Sequence, residues 1–286
     1  MYQAVIRQRP FIQCDVFSSV ATKGNGLAVV NHADDLGAEQ MQSFAAWTNL
    51  AETTFILKPD DPTADYRLRI FTPSHEMPFA GHPTLGSCKS WQHWGGKPLR
   101  AGVIVQQCEV GLIEIHVDGH RNAFIAPPTQ IEILPSECLM AVVSRLGISK
   151  TQIIKAALLN NGPVWNALEL IDAEAVLAVE ASGSKDPDMG FIGIFGRDTS
   201  KDTVDYEVRM LESGTGMTED PITGSLNAAL AKWLFSQDRL KTSLTIAQGQ
   251  KIGRQGRVYI DLLDAEKGEI KIGGEVQILI EGHVLI

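Results

Sequence analysis

Two stretches half a chain apart, His82-Pro-Thr-Leu-Gly-Ser87 and Asp220-Pro-Ile-Thr-Gly-Ser225, present the same kinds of residue in the same order, 138 positions apart in a chain of 286. Each follows a strand-like run, Arg67–Phe71 in one case and Glu207–Met210 in the other, and a short loop rich in glycine or proline. Each leads into a helical stretch that ends in aromatic residues, Cys88–Trp94 and Leu226–Phe235. Two copies of one supersecondary unit imply two pseudo-symmetric domains whose equivalent loops can meet at their interface. The remaining pattern fits many short strands with few helices. Strands are expected at Phe11–Phe17, Leu27–Val30, Thr53–Leu57 and Val110–Val117, and again at Val164–Leu170, Phe191–Phe195, Val204–Met210, Leu244–Ala247, Val258–Leu262 and Val276–Ile280. Glu39–Asn49 places Met41, Phe44, Ala45 and Thr48 at helical spacing. The stretch from Asn122 to Thr129, with Ala126-Pro127-Pro128, reads as the linker.

Composition narrows the function. With 44% hydrophobic residues the chain can bury full cores. A net charge of −9 without a basic stripe argues against nucleic acid or an anionic membrane as partner. No apolar run approaches the ~18 residues of a membrane span. Arg7, Arg9 and Pro10 occupy the place of a signal peptide's apolar core, so a cytoplasmic protein is expected. Cys14, Cys88, Cys108 and Cys138 are scattered without a C-x-x-C pair, and the seven histidines show no ligand spacing, so no metal is expected. Gly24-Asn-Gly26 and Gly214-Thr-Gly216 lack the third glycine and the helix of a dinucleotide fingerprint, and no Walker loop or G-x-S-x-G elbow is present. No cofactor is expected either.

The chemistry therefore falls on the repeated loops. Proline after a polar residue and before a helix suggests Pro at the first helical position, which makes His82 and Asp220 N-caps. Two helix N-termini would form a receptor for a carboxylate or other oxyanion. Gly81, Gly86 and Gly224 allow close approach, and Ser87 and Ser225 add hydroxyl donors in the first turns. Capping alone would account for Asp220, and Ser225 could be an ordinary polar helix residue; their place in a repeat turns the reading toward function. Glu52, where the amphipathic helix gives way to a strand, stands near Trp47, Leu50 and Phe55 in sequence. Desolvation there would raise its pKa into the range useful for proton transfer.

Asp15-Val-Phe17, Gly24-Asn25 with Ala28-Val-Val30, Ala51-Glu-Thr-Thr-Phe55, Arg69-Ile-Phe-Thr-Pro73 with Pro78-Phe-Ala-Gly-His-Pro83, and Glu219-Asp-Pro-Ile-Thr-Gly-Ser225 together resemble the PhzF family of phenazine-biosynthesis-like isomerases, as do Asn161-Gly-Pro163 and Gln248–Arg254. Gly26, where the family often has Pro, and Leu211-Glu-Ser-Gly214 depart from its pattern. The resemblance implies an α+β, diaminopimelate epimerase-like fold. It has two pseudo-symmetric domains, residues 1–123 with 278–286 and residues 124–277, each wrapping a curved sheet around a central helix. A homodimer with its active site between the domains is implied as well. So is a cofactor-independent isomerase that shifts a proton within a small cyclic carboxylate such as trans-2,3-dihydro-3-hydroxyanthranilate. Carried over by motif, Glu52 would shuttle the proton and His82 and Asp220 would orient the substrate, with Asp220 able to assist the transfer. Ser225 with the Gly81 and Gly224 backbone would take the carboxylate. Racemases of this fold place one Cys on each repeated loop; here Pro78–Thr84 and Gly216–Ser225 contain none. The alternatives are an epimerase or racemase with other bases, or a metabolite-binding relative without catalysis.

Overall fold

The structure, a computed structural model, describes residues 6–119, 121–180, 190–200, 203–212 and 218–286. The chain divides into two compact units, one of Met1–Ile125 with Gly273–Ile286 and one of Ala126–Ile272. Gly214-Thr-Gly216 and part of Leu211–Gly214 lie outside the described residues.

In the first unit the order is β1 (Gln8–Val16), β2 (Asn25–Val30), α1 (Ala38–Thr48), β3 (Glu52–Leu57), β4 (Tyr66–Phe71), β5 (Glu76–Met77), α2 (Gly81–His93), β6 (Val103–Cys108), β7 (Gly111–Asp118) and β8 (Arg121–Ile125). The second unit follows with β9 (Gln130–Glu132), α3 (Ser136–Leu146), β10 (Ile153–Asn160), β11 (Val164–Leu170), α4 (Ala173–Ala178), β12 (Phe191–Arg197), β13 (Tyr206–Glu212), β14 (Thr218–Asp220), α5 (Gly224–Ser236), β15 (Ser243–Gln248) and β16 (Gly256–Asp264). The long strand β17 (Glu269–Leu285) begins in the second unit and ends in the first.

The pairing pattern repeats. β1 and β2 are antiparallel, β2 and β3 parallel, β3 and β4 antiparallel, β4 and β6 parallel, β6 and β7 antiparallel. β10, β11, β12, β13, β15 and β16 follow the same alternation. β17 pairs with β1 on one side and β8 on the other, which closes the first unit's sheet on itself.

A helix inside such a ring must be slim and sealed all round. In α2 nearly every residue from Gly81 to Ser90 is buried, and its small polar side chains find partners: Ser87 with Thr54 at 2.8 Å, Thr84 with Gln106 at 3.1 Å, Ser90 with the Gly86 carbonyl at 2.8 Å. Gly86 packs tightly there: a Cβ would lie 2.5 Å from Leu27 and 3.0 Å from both Cys14 and Val16, and these buried side chains would have to move. α5 plays the same part with Ala228, Ala229 and Ala231, its Leu226 pressed on Gly193 and its Trp233 ring 5.5 Å from Phe195. Outside the sheets, α1 packs Met41 and Phe44 on Phe55 and Phe71, while α3 and α4 pack Val142, Val143, Val176 and Val179 on Leu168, Ile194 and Leu211. α1 stops at Asn49, which takes the left-handed backbone that Asn tolerates. Among the described residues no helix is long and apolar enough to cross a membrane.

The register of the repeat differs from the one expected. β4 and β13 match 140 positions apart: Asp65 binds the Val105 amide, and Asp205 the Thr245 amide, each at 2.7 Å. Beyond the hairpins the interval is 143. Arg69 clamps Glu76 through two 2.6 Å bonds, and Arg209 clamps Glu219 at 3.1 and 2.8 Å. Ile70 faces Met77 as Met210 faces Asp220. Asp220 is thus the counterpart of Met77, not of His82, and His82 corresponds to Ser225, the second residue of α5. The proline-centred alignment failed because the second hairpin is three residues longer.

β13 also carries a fully buried carboxyl, Glu207. Its Oε2 accepts from Gln250 Nε2 at 2.5 Å, its Oε1 has no hydrogen-bond partner among the described residues, and burial pushes the acid up to about 7. Its ordinary value is 4.5, so on raising the pH the unfolded chain releases this proton first. The residue's contribution to stability therefore falls between about pH 4.5 and pH 7, by up to about 3 kcal/mol, and stays low above that. Urea unfolding of Glu207→Gln beside the wild type at pH 5 and pH 8 is expected to show a relative gain for the variant at the higher pH. The two clamps give a second expectation. The Arg209–Glu219 side chains are 0% and 3% exposed, and Arg209 also serves the Val176 and Val179 carbonyls. Arg209→Met should cost about 3–5 kcal/mol by stranding a buried charge. Arg69→Met, at a pair 24% and 33% exposed, should cost about 1 kcal/mol or less.

Candidate active site

Leu27 lies opposite Glu52 in the parallel β2–β3 pair, so Asn25 and Glu52 open their strands at one rim of the first unit. The first turn of α2 brings His82 to the same rim. His82 Nε2 is 3.1 Å from Glu52 Oε2, at contact distance without full hydrogen-bond alignment, and the side chains are 6% and 15% exposed. On the other side of the ring, Asn25 Nδ2 lies 3.4 Å from His82 Nδ1. Sequence reasoning singled out Glu52 and His82 separately; the structure makes them a pair. Trp47 takes no part, being 79% exposed and stacked on Phe44.

Neither proposed N-cap holds that position. α2 starts at Gly81, with Ala80 in extended backbone as the cap residue and its carbonyl accepting from Thr84 N–H at 3.2 Å. His82 is the second helical residue and Pro83 the third, a place proline tolerates because first-turn N–H groups lack intrahelical partners anyway. In the second unit Thr223 is the cap residue of α5, and Asp220 is the last residue of β14. Ser87, expected to offer a donor, is fully buried against Thr54 and belongs to the core.

Around Asp220 a buried amide does the ordering. The Thr223 hydroxyl donates to Asp220 Oδ2. Gln248 Nε2 donates to Thr223 Oγ1 at 3.1 Å and to the Asp220 carbonyl at 3.3 Å, while Gln248 Oε1 accepts from Thr223 N–H at 3.1 Å and Asn227 Nδ2 at 2.8 Å. Gly224 and Ser225 begin the helix, and the Ser225 carbonyl accepts from Asn161 Nδ2 at 2.8 Å. Asn161 is fixed in turn by the Trp165 indole at 3.0 Å. Asn25, Asn161, Thr223 and Gln248 were not among the expected site residues. The bonds of Asn25 to His82 and of Gln248 to Thr223 and Asp220 span dozens of residues and leave no local signal.

The two rims differ in chemistry. Position 52 opens β3, and its counterpart opening β12 is Phe191, opposite Trp165 as Glu52 is opposite Leu27. One unit carries a carboxylate and an imidazole where the other carries a phenyl ring and a hydroxyl. Thiols are poor candidates for bases: burial pushes Cys14 up to about 12 and raises Cys88 and Cys108 as well. Among the described residues no three His, Cys, Asp or Glu side chains converge as metal ligands.

Residues 14–282 match the family described as phenazine biosynthesis-like protein, PhzC-PhzF. A Schizosaccharomyces pombe protein named antisense-enhancing sequence 1 is 35% identical over 98% of this chain and 99% of its own. The trans-2,3-dihydro-3-hydroxyanthranilate isomerase of Pseudomonas aeruginosa is 31% identical over 87% of this chain and 88% of its own. A PhzF-family structure from Bacillus anthracis superimposes with a TM-score of 0.83 at 21% identity, covering 98% of this chain and all of the other. The fold is the α+β, epimerase-like one.

Thr223→Val should cost about 1–3 kcal/mol, because Asp220 Oδ2 loses the hydroxyl that donates to it and Gln248 Nε2 loses one of its two acceptors. Thr223→Ser, which keeps the hydroxyl, should restore most of that in urea unfolding.

Proposed function

The chain belongs to the phenazine biosynthesis-like family and is an isomerase, and on that premise we propose that it shifts a proton within a small cyclic amino or hydroxy carboxylate of the trans-2,3-dihydro-3-hydroxyanthranilate type, with Glu52 as the single base. The observation that carries this reading is the asymmetry of the rims: Glu52 beside His82 in one unit, Phe191 in the equivalent place of the other. Inversion by the two-base route uses one acid/base group from each repeat, and the position equivalent to Glu52 offers none. A single carboxylate takes a proton from one carbon and returns it to another on the same face.

In such a step the Glu52 carboxylate takes the C–H proton and the electron pair left behind moves into the conjugated system. The Glu52 acid then protonates the new carbon, and the carboxylate is regenerated. Nothing is oxidised or reduced. His82 holds the carboxylate in place. In this reading Asp220, whose carboxylate accepts from Thr223 and whose carbonyl accepts from Gln248, orients the substrate's amino or hydroxyl function and can assist the transfer. Ser225 and the Gly81 and Gly224 backbone, at the starts of α2 and α5, supply donors for a carboxylate.

NMR of trans-2,3-dihydro-3-hydroxyanthranilate in deuterated water tests the assignment. The wild type should move the double bond and place deuterium at the new tetrahedral carbon. Glu52→Gln, with an unchanged melting temperature, should be slower by about 10²–10⁴-fold. Equal turnover by both proteins would remove Glu52 from the role. Loss of optical rotation with no absorbance change would favour an epimerase.

A further inference from the structure

We propose that Asn25 is a positioning residue that fixes the tautomer of His82, so that the ring carries its proton on Nε2, facing Glu52. The inference deepens the reading of Glu52 as the base and rests on it. An amide NH₂ group only donates, so Asn25 Nδ2 at 3.4 Å from His82 Nδ1 requires that nitrogen to be an acceptor. In a neutral imidazole the proton then sits on the other nitrogen, 3.1 Å from Glu52 Oε2. Glu52 thereby meets an N–H rather than a lone pair at its buried oxygen, 3.1 Å away, and keeps Oε1 for the substrate's proton. The opposite tautomer would set a lone pair against the carboxylate and repel it.

The loop before β2 is built to hold Asn25 still. Asp15 Oδ2 accepts from the Gly24 amide at 2.8 Å, and Asn25 pairs with Val16 at the end of β1. Gly24 is pressed so closely on β1 that a Cβ would lie 2.3 Å from the Val16 carbonyl oxygen. Asn25 itself is 1% exposed. The Gly-Asn-Gly stretch, which imitates a nucleotide-binding fingerprint in the sequence, thus serves to bring one amide against one imidazole.

The test reads the ring directly. In ¹⁵N-labelled wild-type protein, long-range ¹H–¹⁵N correlation should show His82 protonated on Nε2 and bare on Nδ1 at neutral pH. Asn25→Asp keeps the shape but replaces the donor by an acceptor, so the proton should appear on Nδ1. Turnover should then fall by about 10²-fold or more, since a catalytic histidine locked in the wrong tautomer loses on the order of 10⁴-fold in a serine protease. The pH profile should also move, which a packing defect alone would not produce. An Nδ1-protonated ring in the wild type overturns the proposal without recourse to any variant, and so does an unchanged ring in folded Asn25→Asp. Glu52→Gln separates the two readings. If that variant turns over normally while the wild-type ring is Nε2-protonated, the base assignment falls. If Glu52 proves essential and the ring is Nδ1-protonated, the role of Asn25 falls.

Discussion

Everything in the first unit follows from threading a helix through a sheet closed on itself. The space admits only a slim element, and α2 meets that limit with glycine, serine, threonine and cysteine where an ordinary core helix would use leucine. Polar atoms so enclosed must be satisfied, and Thr54 and Gln106 on the surrounding strands do this. Because the helix is locked along its length, its first turn cannot drift, and the side chain at its second position is delivered to the rim with little freedom left. His82 is thus held in place by bonds made within the next turn and a half of the helix.

Duplication then allows division of labour. Both units keep the parts that make the rim, namely the Arg–Glu clamp on the hairpin, the Asp that binds a strand amide, and the buried helix. They differ in what they display there. Glu52 answers to Phe191, His82 to Ser225, Ala80 to Thr223 and Met77 to Asp220. A scaffold that holds its shape by conserved internal bonds can change the groups at its rim while leaving those bonds intact.

The strand alternation, the amphipathic α1 and the repeat itself were legible in the sequence because they are local or periodic. Glu52 was legible from its position between a helix and a strand. The register of the repeat was not. Two prolines invite alignment, yet Pro83 lies inside α2 and Pro221 lies before α5, and only the pairing of β13 with β14 shows where the extra residues are. Asn25 was read as part of an imitation fingerprint. Its meaning depends on a side chain 57 positions away that no periodicity connects to it.

The closing strand sets an order of events. The second unit is one continuous run of chain, and its partners are all made before β17 is complete. The first unit cannot close until Gly273–Ile286 has been synthesised, because β1 awaits the distant half of β17 across more than 250 residues of chain. During synthesis the half that begins first therefore finishes last. Until then β1 has an open edge, of the kind that recruits foreign strands when left uncovered. Arg9, opposite Val284, stands on that edge, and its charge discourages such pairing while the strand waits.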